Sequence, residues 1–129
     1  MIGVDTNILV RYLTKDDEQQ WQKAVEIIEG GEQCFIANIV LCELVWVLRG
    51  KPYEFSRSEI GKTIEMMLQC PVFELENSSV VYQALHRFQQ GKADFSDYLI
   101  GAIAQQLGCS KTVTFDRNLA DNKGFKLLS

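Results

Sequence analysis

Asp5, Glu43, Asp97 and Asp116 are the side chains of this sequence whose types and surroundings could do chemistry. Glu43 is the one charge in the run Ile39-Val40-Leu41-Cys42-Glu43-Leu44-Val45-Trp46-Val47-Leu48. Apolar neighbours on nearly every side predict burial, and an unpaired buried carboxylate costs several kcal/mol or takes up a proton. Such a group needs a partner: a metal ion, a set of hydrogen bonds, or an arginine such as Arg11 or Arg49. Asp5 and Asp116 each follow a short apolar run, Met1-Ile2-Gly3-Val4 and Thr112-Val113-Thr114-Phe115. Functional groups of open α/β sheets gather beyond the carboxyl ends of the strands, although an acid there also serves as a turn or helix cap. Asp94 and Asp97 open a further apolar helix. Asp94 suits the N-cap, which makes Asp97 the expected inner acid and Asp94 its helper; the reverse assignment is the alternative.

Carboxylates brought together in a partly dry site repel one another strongly. A hard divalent cation resolves the repulsion, and an all-oxygen donor set favours Mg²⁺ or Mn²⁺ over zinc. Such a site suits phosphoryl chemistry, in which one ion acidifies a water and a second ion or a nearby donor stabilises the leaving oxygen. One metal or two are both compatible with the residues. Histidine chemistry is poorly supported, because the single histidine, His86, lies in an amphipathic pattern that suits a surface or packed helical position. Cys34, Cys42, Cys70 and Cys109 are widely spaced without a C-x-x-C pair, which argues for reduced thiols rather than a zinc or redox motif.

The elements that must position these groups follow from the apolar spacing. Strands are predicted at Met1–Val4, Cys34–Ala37, Val72–Leu75 and Thr112–Phe115, with a short edge strand at Phe125–Leu128. Helical spacing runs through Ile8, Leu9, Tyr12 and Leu13, then over Asp17–Glu29, stopped by Gly30-Gly31. Asn38 is the expected cap of a helix reaching Leu48. Further helices are predicted over Ser56–Leu68, from Asn77 or Ser78 through Phe88, and over Phe95–Leu107. Short strands alternating with helices imply one α/β domain over residues 1–129, a central parallel sheet between helical layers.

A chain of 129 residues with 47% hydrophobic and 23% charged residues reads as an ordinary globular domain. The net charge of −4 argues against a simple basic coat for nucleic acid. Any RNA contact needs a local basic patch, for which Arg11, Lys15, Arg49, Lys51, Lys92 and Arg117 are candidates, each alone being an ordinary surface charge. No secretory pattern is evident and the longest apolar stretch contains Asn38 and Glu43, so a cytoplasmic protein without a membrane span is expected.

The ordered set Val4-Asp5-Thr6-Asn7-Ile8-Leu9, Glu43 on an apolar helix, Asp94-Phe95-Ser96-Asp97 and Thr114-Phe115-Asp116 resembles PIN-domain nucleases over essentially the whole chain. In size it is most similar to the VapC-like toxins of prokaryotic type II toxin–antitoxin pairs. The resemblance implies a three-layer sandwich with strand order 3-2-1-4-5 and Mg²⁺- or Mn²⁺-dependent hydrolysis of RNA. It implies that Asp5, Glu43, Asp97 and Asp116 are the catalytic and metal-binding quartet, with Asp94 an additional acid. Thr6 and Asn7 match the family's segment after the first acid; the resemblance further implies that Asn7 orients water or the first acid and that Thr114 braces the last strand's turn, a local capping role being the alternative for both. Asp121 is either a further metal-facing acid or a solvated loop residue. A homodimer and a cognate antitoxin obstructing the site are implied as partners; Trp46 and Val47, or the Met66-Met67 region, are candidates for the dimer surface.

Other readings keep the same residues. A PIN-type nuclease of RNA processing or decay has this site without an antitoxin. An aspartyl phosphotransferase fits badly, since the haloacid-dehalogenase pattern wants a second aspartate where Asn7 stands and receiver domains want paired acids at that strand end. A non-catalytic interaction module predicts loss of an inner acid, yet the quartet is complete.

Overall fold

Parallel pairing of short apolar runs organises the first compact unit, Met1–Ser78, of the computed structural model, which describes residues 1–129. The elements of this unit, in order, are β1 (Ile2–Gly3), α1 (Thr6–Thr14), α2 (Glu18–Ile28), β2 (Cys34–Ile36), α3 (Asn38–Arg49), α4 (Arg57–Gln69) and β3 (Phe73–Leu75). Strand β2 is central, with Ile2 opposite Cys34 on one side and Cys34 opposite Phe73 on the other, both ladders parallel. Parallel neighbours need crossover connections, and the intervening helices supply them. The Val4 N–H extends the first ladder by donating to the Phe35 carbonyl at 3.1 Å. Asp5 therefore stands just past the carboxyl end of β1.

Helices α1, α2 and α4 start where the sequence provides a side-chain cap. Asp5 and Asp17 accept backbone N–H groups of α1 and α2, and Ser56 with Glu59 forms a reciprocal capping box on α4. Lys15, in a left-handed conformation (φ 57°), closes α1 by donating its N–H to the Arg11 carbonyl. The cap of α3 departs from the expectation. Ala37 occupies the N-cap and Asn38 is already helical; the Glu76 carboxylate, after β3, accepts the Asn38 N–H at 2.9 Å. A long-range acid has replaced the local side chain. The buried faces of these elements, among them Leu9, Ile28, Ile36, Leu41, Leu44, Leu48, Ile60, Ile64 and Met67, form the core.

The second unit, Ser79–Ser129, holds α5 (which begins at Ser78 and ends at Gln90), α6 (Phe95–Gln106), β4 (Thr112–Thr114), a 3-10 turn (Arg117–Leu119) and β5 (Phe125–Leu127). Phe88 of α5 meets Phe95 of α6 edge to face, with centroids 6.0 Å apart. Gly101 of α6 lies directly against the Phe125 ring of β5. Strands β4 and β5 pair in parallel, Thr112 opposite Phe125. Phe115, expected at the end of β4, lies outside the ladder and is exposed.

The α/β class and the parallel pairing agree with the sequence reading. The expected order 3-2-1-4-5 is seen only in parts, as two separate ladders, β1-β2-β3 and β4-β5. No helix is long and apolar enough to cross a membrane.

Candidate active site

The acids fall into two groups, one in each unit. In the first unit, the turn from β1 into α1 carries Asp5, whose Oδ1 accepts the Thr6 N–H at 2.7 Å. Thr6, the only buried polar residue of the chain, then donates its hydroxyl to Glu43 Oε1 at 2.7 Å. Asp5 and Glu43, thirty-eight positions apart in the sequence, are thus joined through one threonine.

Glu43 itself is exposed, which corrects the expectation of a buried carboxylate. The reason is helical geometry. The buried face of α3 is Val40, Leu41, Leu44, Val45 and Leu48, and the 3.6-residue period puts Glu43 on the other side with Ile39, Trp46 and Val47. Three of that side's four residues are apolar, so the run looked buried on all sides when only one face is. Arg11 has other partners: its guanidinium is committed to Asp16 at 2.9 Å, Gln20 at 2.6 Å and the Tyr53 hydroxyl at 3.3 Å. The same commitments take Arg11 out of the set of free phosphate contacts. Lys15 sits over the Trp21 ring at 5.1 Å.

In the second unit, Asp94 is the N-cap of α6 and the Asp97 carboxylate returns to its N–H at 3.3 Å. The N-cap assignment therefore agrees with the sequence reading. Burial raises the Asp97 pKa above the usual carboxylate range; the backbone bond from Asp94 opposes the rise, and the negative charges of Asp94 and Asp116 add to it. Asp116 follows the carboxyl end of β4. Its N–H donates to the Thr114 hydroxyl at 3.0 Å, and its Oδ1 accepts the Asn118 N–H at 2.9 Å. Thr114 therefore braces the turn that presents Asp116.

Both strand-end acids thus act as caps, each with one oxygen engaged by a backbone N–H and the other without a hydrogen bond in these turns. Within either unit by itself, no three His, Cys, Asp or Glu side chains are grouped closely enough to hold a metal ion. The acids stand as an Asp5–Glu43 pair linked by Thr6 and as a set around Asp97. Asn7 is exposed beside Asp5 and Asp121 is an exposed loop residue. Of the candidate dimer residues, Trp46 and Val47 are exposed, whereas Met67 is core.

The part Thr6 plays was not visible in the sequence. A threonine after an aspartate reads as local capping, and nothing in the chain ties position 6 to position 43 until α1 packs on α3. The PIN domain family matches residues 2–124, a span that includes every acid above. A protein named VapC ribonuclease from Aquifex aeolicus (strain VF5) is 26% identical over 129 residues, covering 98% of this chain and 94% of that protein. With carboxylates placed after two parallel strands and a match running almost from end to end, this chain belongs to the PIN-domain family.

Proposed function

We propose that this chain is an endoribonuclease dependent on Mg²⁺ or Mn²⁺, and the toxin of a toxin–antitoxin pair. The observation that carries the proposal is Asp97, whose carboxyl is held above its ordinary range by burial and by Asp94 and Asp116. A cation close by would favour the charged form of such a carboxylate. The donor set is hard oxygen throughout, which fits Mg²⁺ or Mn²⁺. Asp5, Glu43, Asp97 and Asp116 are the residues that would hold the ion. When bound, it supplies a more acidic water and neutralises charge on the phosphodiester.

The chain's own residues have separate tasks in this reading. Thr6 holds the Glu43 carboxylate in one orientation, with its own hydroxyl kept from water by burial. Thr114 fixes the turn that aims Asp116. Asp94 caps α6 and thereby sets the position of Asp97 one turn inside. Asn7, exposed beside Asp5, offers an amide to orient water or an RNA phosphate.

RNA as substrate and a cognate antitoxin as partner are supported by the similarity to the VapC ribonuclease over nearly the full length of both chains. The match over residues 2–124 runs through both compact units, which supports their working as one nuclease domain. A homodimer belongs to the same reading, with exposed Trp46 and Val47 as its apolar surface. So does a cytoplasmic location.

The test is cleavage of single-stranded RNA by purified protein, with and without chelator. Glu43→Gln and Asp116→Asn are each expected to lower Mg²⁺-dependent cleavage by about a hundredfold or more, the scale of losing one charge-stabilising group, with the circular dichroism spectrum unchanged. Cleavage that survives both substitutions, or that survives chelation, would overturn the assignment.

A further inference from the structure

A pocket in the second unit gathers three cations and no carboxylate. It has a volume of about 160 Å³ and is lined by Arg87 of α5, Ser110 and Lys111 before β4, Thr112 at the start of β4, and Lys123 and Gly124 before β5. In a chain of net charge −4 such a grouping is uneven. Three like charges around one small space repel, and an anion is what relieves them.

Hydrogen bonds hold the frame of the pocket, while Lys111 and Lys123 are exposed at the surface. Arg87 is half-buried, and its Nη1 donates to the Lys123 carbonyl at 3.0 Å. That bond fixes the guanidinium plane while the remaining N–H groups of the fork stay available. Gly124, at φ +93°, adopts a conformation that L side chains rarely take, and a Cβ there would stand 3.9 Å from Arg87 Nη1. Its carbonyl accepts the Thr112 N–H at 2.7 Å, tying the two pocket loops together. The hydroxyls of Ser110 and Thr112 add neutral donors beside the cations.

Size and donors select the ligand. A pocket for a whole drug-sized molecule runs to roughly 300–1,000 Å³, so this one takes a single group. Guanidinium, ammonium and hydroxyl donors around that group match a tetrahedral oxyanion. We propose that this pocket binds a phosphate group. It lies at the amino ends of β4 and β5, whereas Asp116 follows the carboxyl end of β4. Asp116 lies four positions after Thr112, at most roughly 13 Å along extended chain at about 3.3 Å per residue. The phosphate site is therefore distinct from the acidic groups. Its ligand is either free phosphate or a phosphodiester of a nucleic-acid strand.

Titration of the full-length, ¹⁵N-labelled protein separates these sources. One arm uses inorganic phosphate, a second a short oligothymidylate with hydroxyl ends, and a control uses sodium chloride at matched ionic strength. Saturable amide shifts at Ser110, Lys111 and Gly124 are expected in at least one of the first two arms. Saturation by phosphate alone identifies a small-anion site; saturation by the oligonucleotide identifies a strand site. Lys111→Gln should weaken binding by about tenfold, the loss of one charge-assisted contact. Arg87→Gln removes the brace on Lys123 as well, so Lys123→Gln serves as the second variant. No saturation in either arm, shifts reproduced by chloride, or affinity unchanged in both lysine variants would overturn the proposal. Because binding is read without cleavage, the outcome is independent of the ribonuclease assignment.

Discussion

Thr6 and Glu43 are joined by a hydrogen bond of 2.7 Å from a buried hydroxyl to an exposed carboxylate. The donor is fixed in the core side of α1, while the acceptor faces water on α3 with its second oxygen available. Thr6→Val keeps the shape and removes the donor. Glu43 can then turn to solvent, so stability is expected to change by no more than about 1 kcal/mol, the net worth of a typical hydrogen bond. Metal-dependent cleavage is expected to fall by about tenfold through loss of positioning, and Thr6→Ser to restore most of it. Urea denaturation alongside single-turnover cleavage checks both parts; a Val variant with full activity removes Thr6 from the site.

Asp97 ties stability to pH. Its folded pKa is raised, with burial the largest cause. The protonated form is therefore the one the fold favours, and this contribution is complete below the ordinary carboxylate range and lost as pH rises through the raised value. In chelator at neutral pH, Asp97→Asn should raise the melting temperature, since the amide oxygen still accepts the Asp94 N–H. The gain should vanish on acidification below the ordinary range, where the parent carboxyl is also neutral. Added Mg²⁺ should cancel it by stabilising only the parent. Melting curves across pH decide the matter, and a variant less stable at neutral pH contradicts the sign.

Gly101 supports a prediction whose sign reverses with its neighbour. A Cβ at this position would overlap the Phe125 ring, so Gly101→Ala is expected to destabilise the chain by about 1–3 kcal/mol through overpacking. In a Phe125→Leu background the obstacle is gone. There the same change should stabilise by roughly 0.5–1 kcal/mol, the ordinary preference of a helix for alanine. A double-mutant cycle by chemical denaturation measures the coupling.

Tyr12 donates to Glu29 Oε2 at 2.8 Å, and this bond, with burial and the Glu29 charge adding, pushes the phenol pKa up to about 12. The stabilisation is present below the ordinary phenol value and is lost as pH rises through about 12. Phenolate absorbance should show a late titration from Tyr12, and Glu29→Ala should bring it back toward the ordinary phenol value. A late tyrosine that persists in that variant assigns the shift elsewhere.

Most of the architecture was legible before any coordinates. The helix over Glu18–Ile28, the strand Cys34–Ile36 and the helix Phe95–Gln106 lie within a residue or two of where apolar spacing and caps place them, because each has a face that must be buried and a local signal where it ends. Asp5 and Asp116 were legible for the same reason: an acid directly after an apolar strand has nowhere to go but the sheet's carboxyl edge. Glu43 was identified as unusual on a premise the fold removed. Its neighbours Ile39, Trp46 and Val47 are apolar yet exposed, and composition does not say which side of a helix meets the core.

Local propensity and periodicity act over a few residues, so the chain alone determined the α/β class, the order of strands and helices, and the acids worth watching. Partners distant in sequence meet only when helices and strands pack. Packing decided that Glu76 caps α3, that Thr6 holds Glu43, that Arg11 meets the Tyr53 hydroxyl, and that Arg87, Lys111 and Lys123 share one pocket. Each of these is a contact across at least two elements, set by how side chains fill space and satisfy hydrogen bonds once the backbone has closed, and no pattern along the chain encodes it.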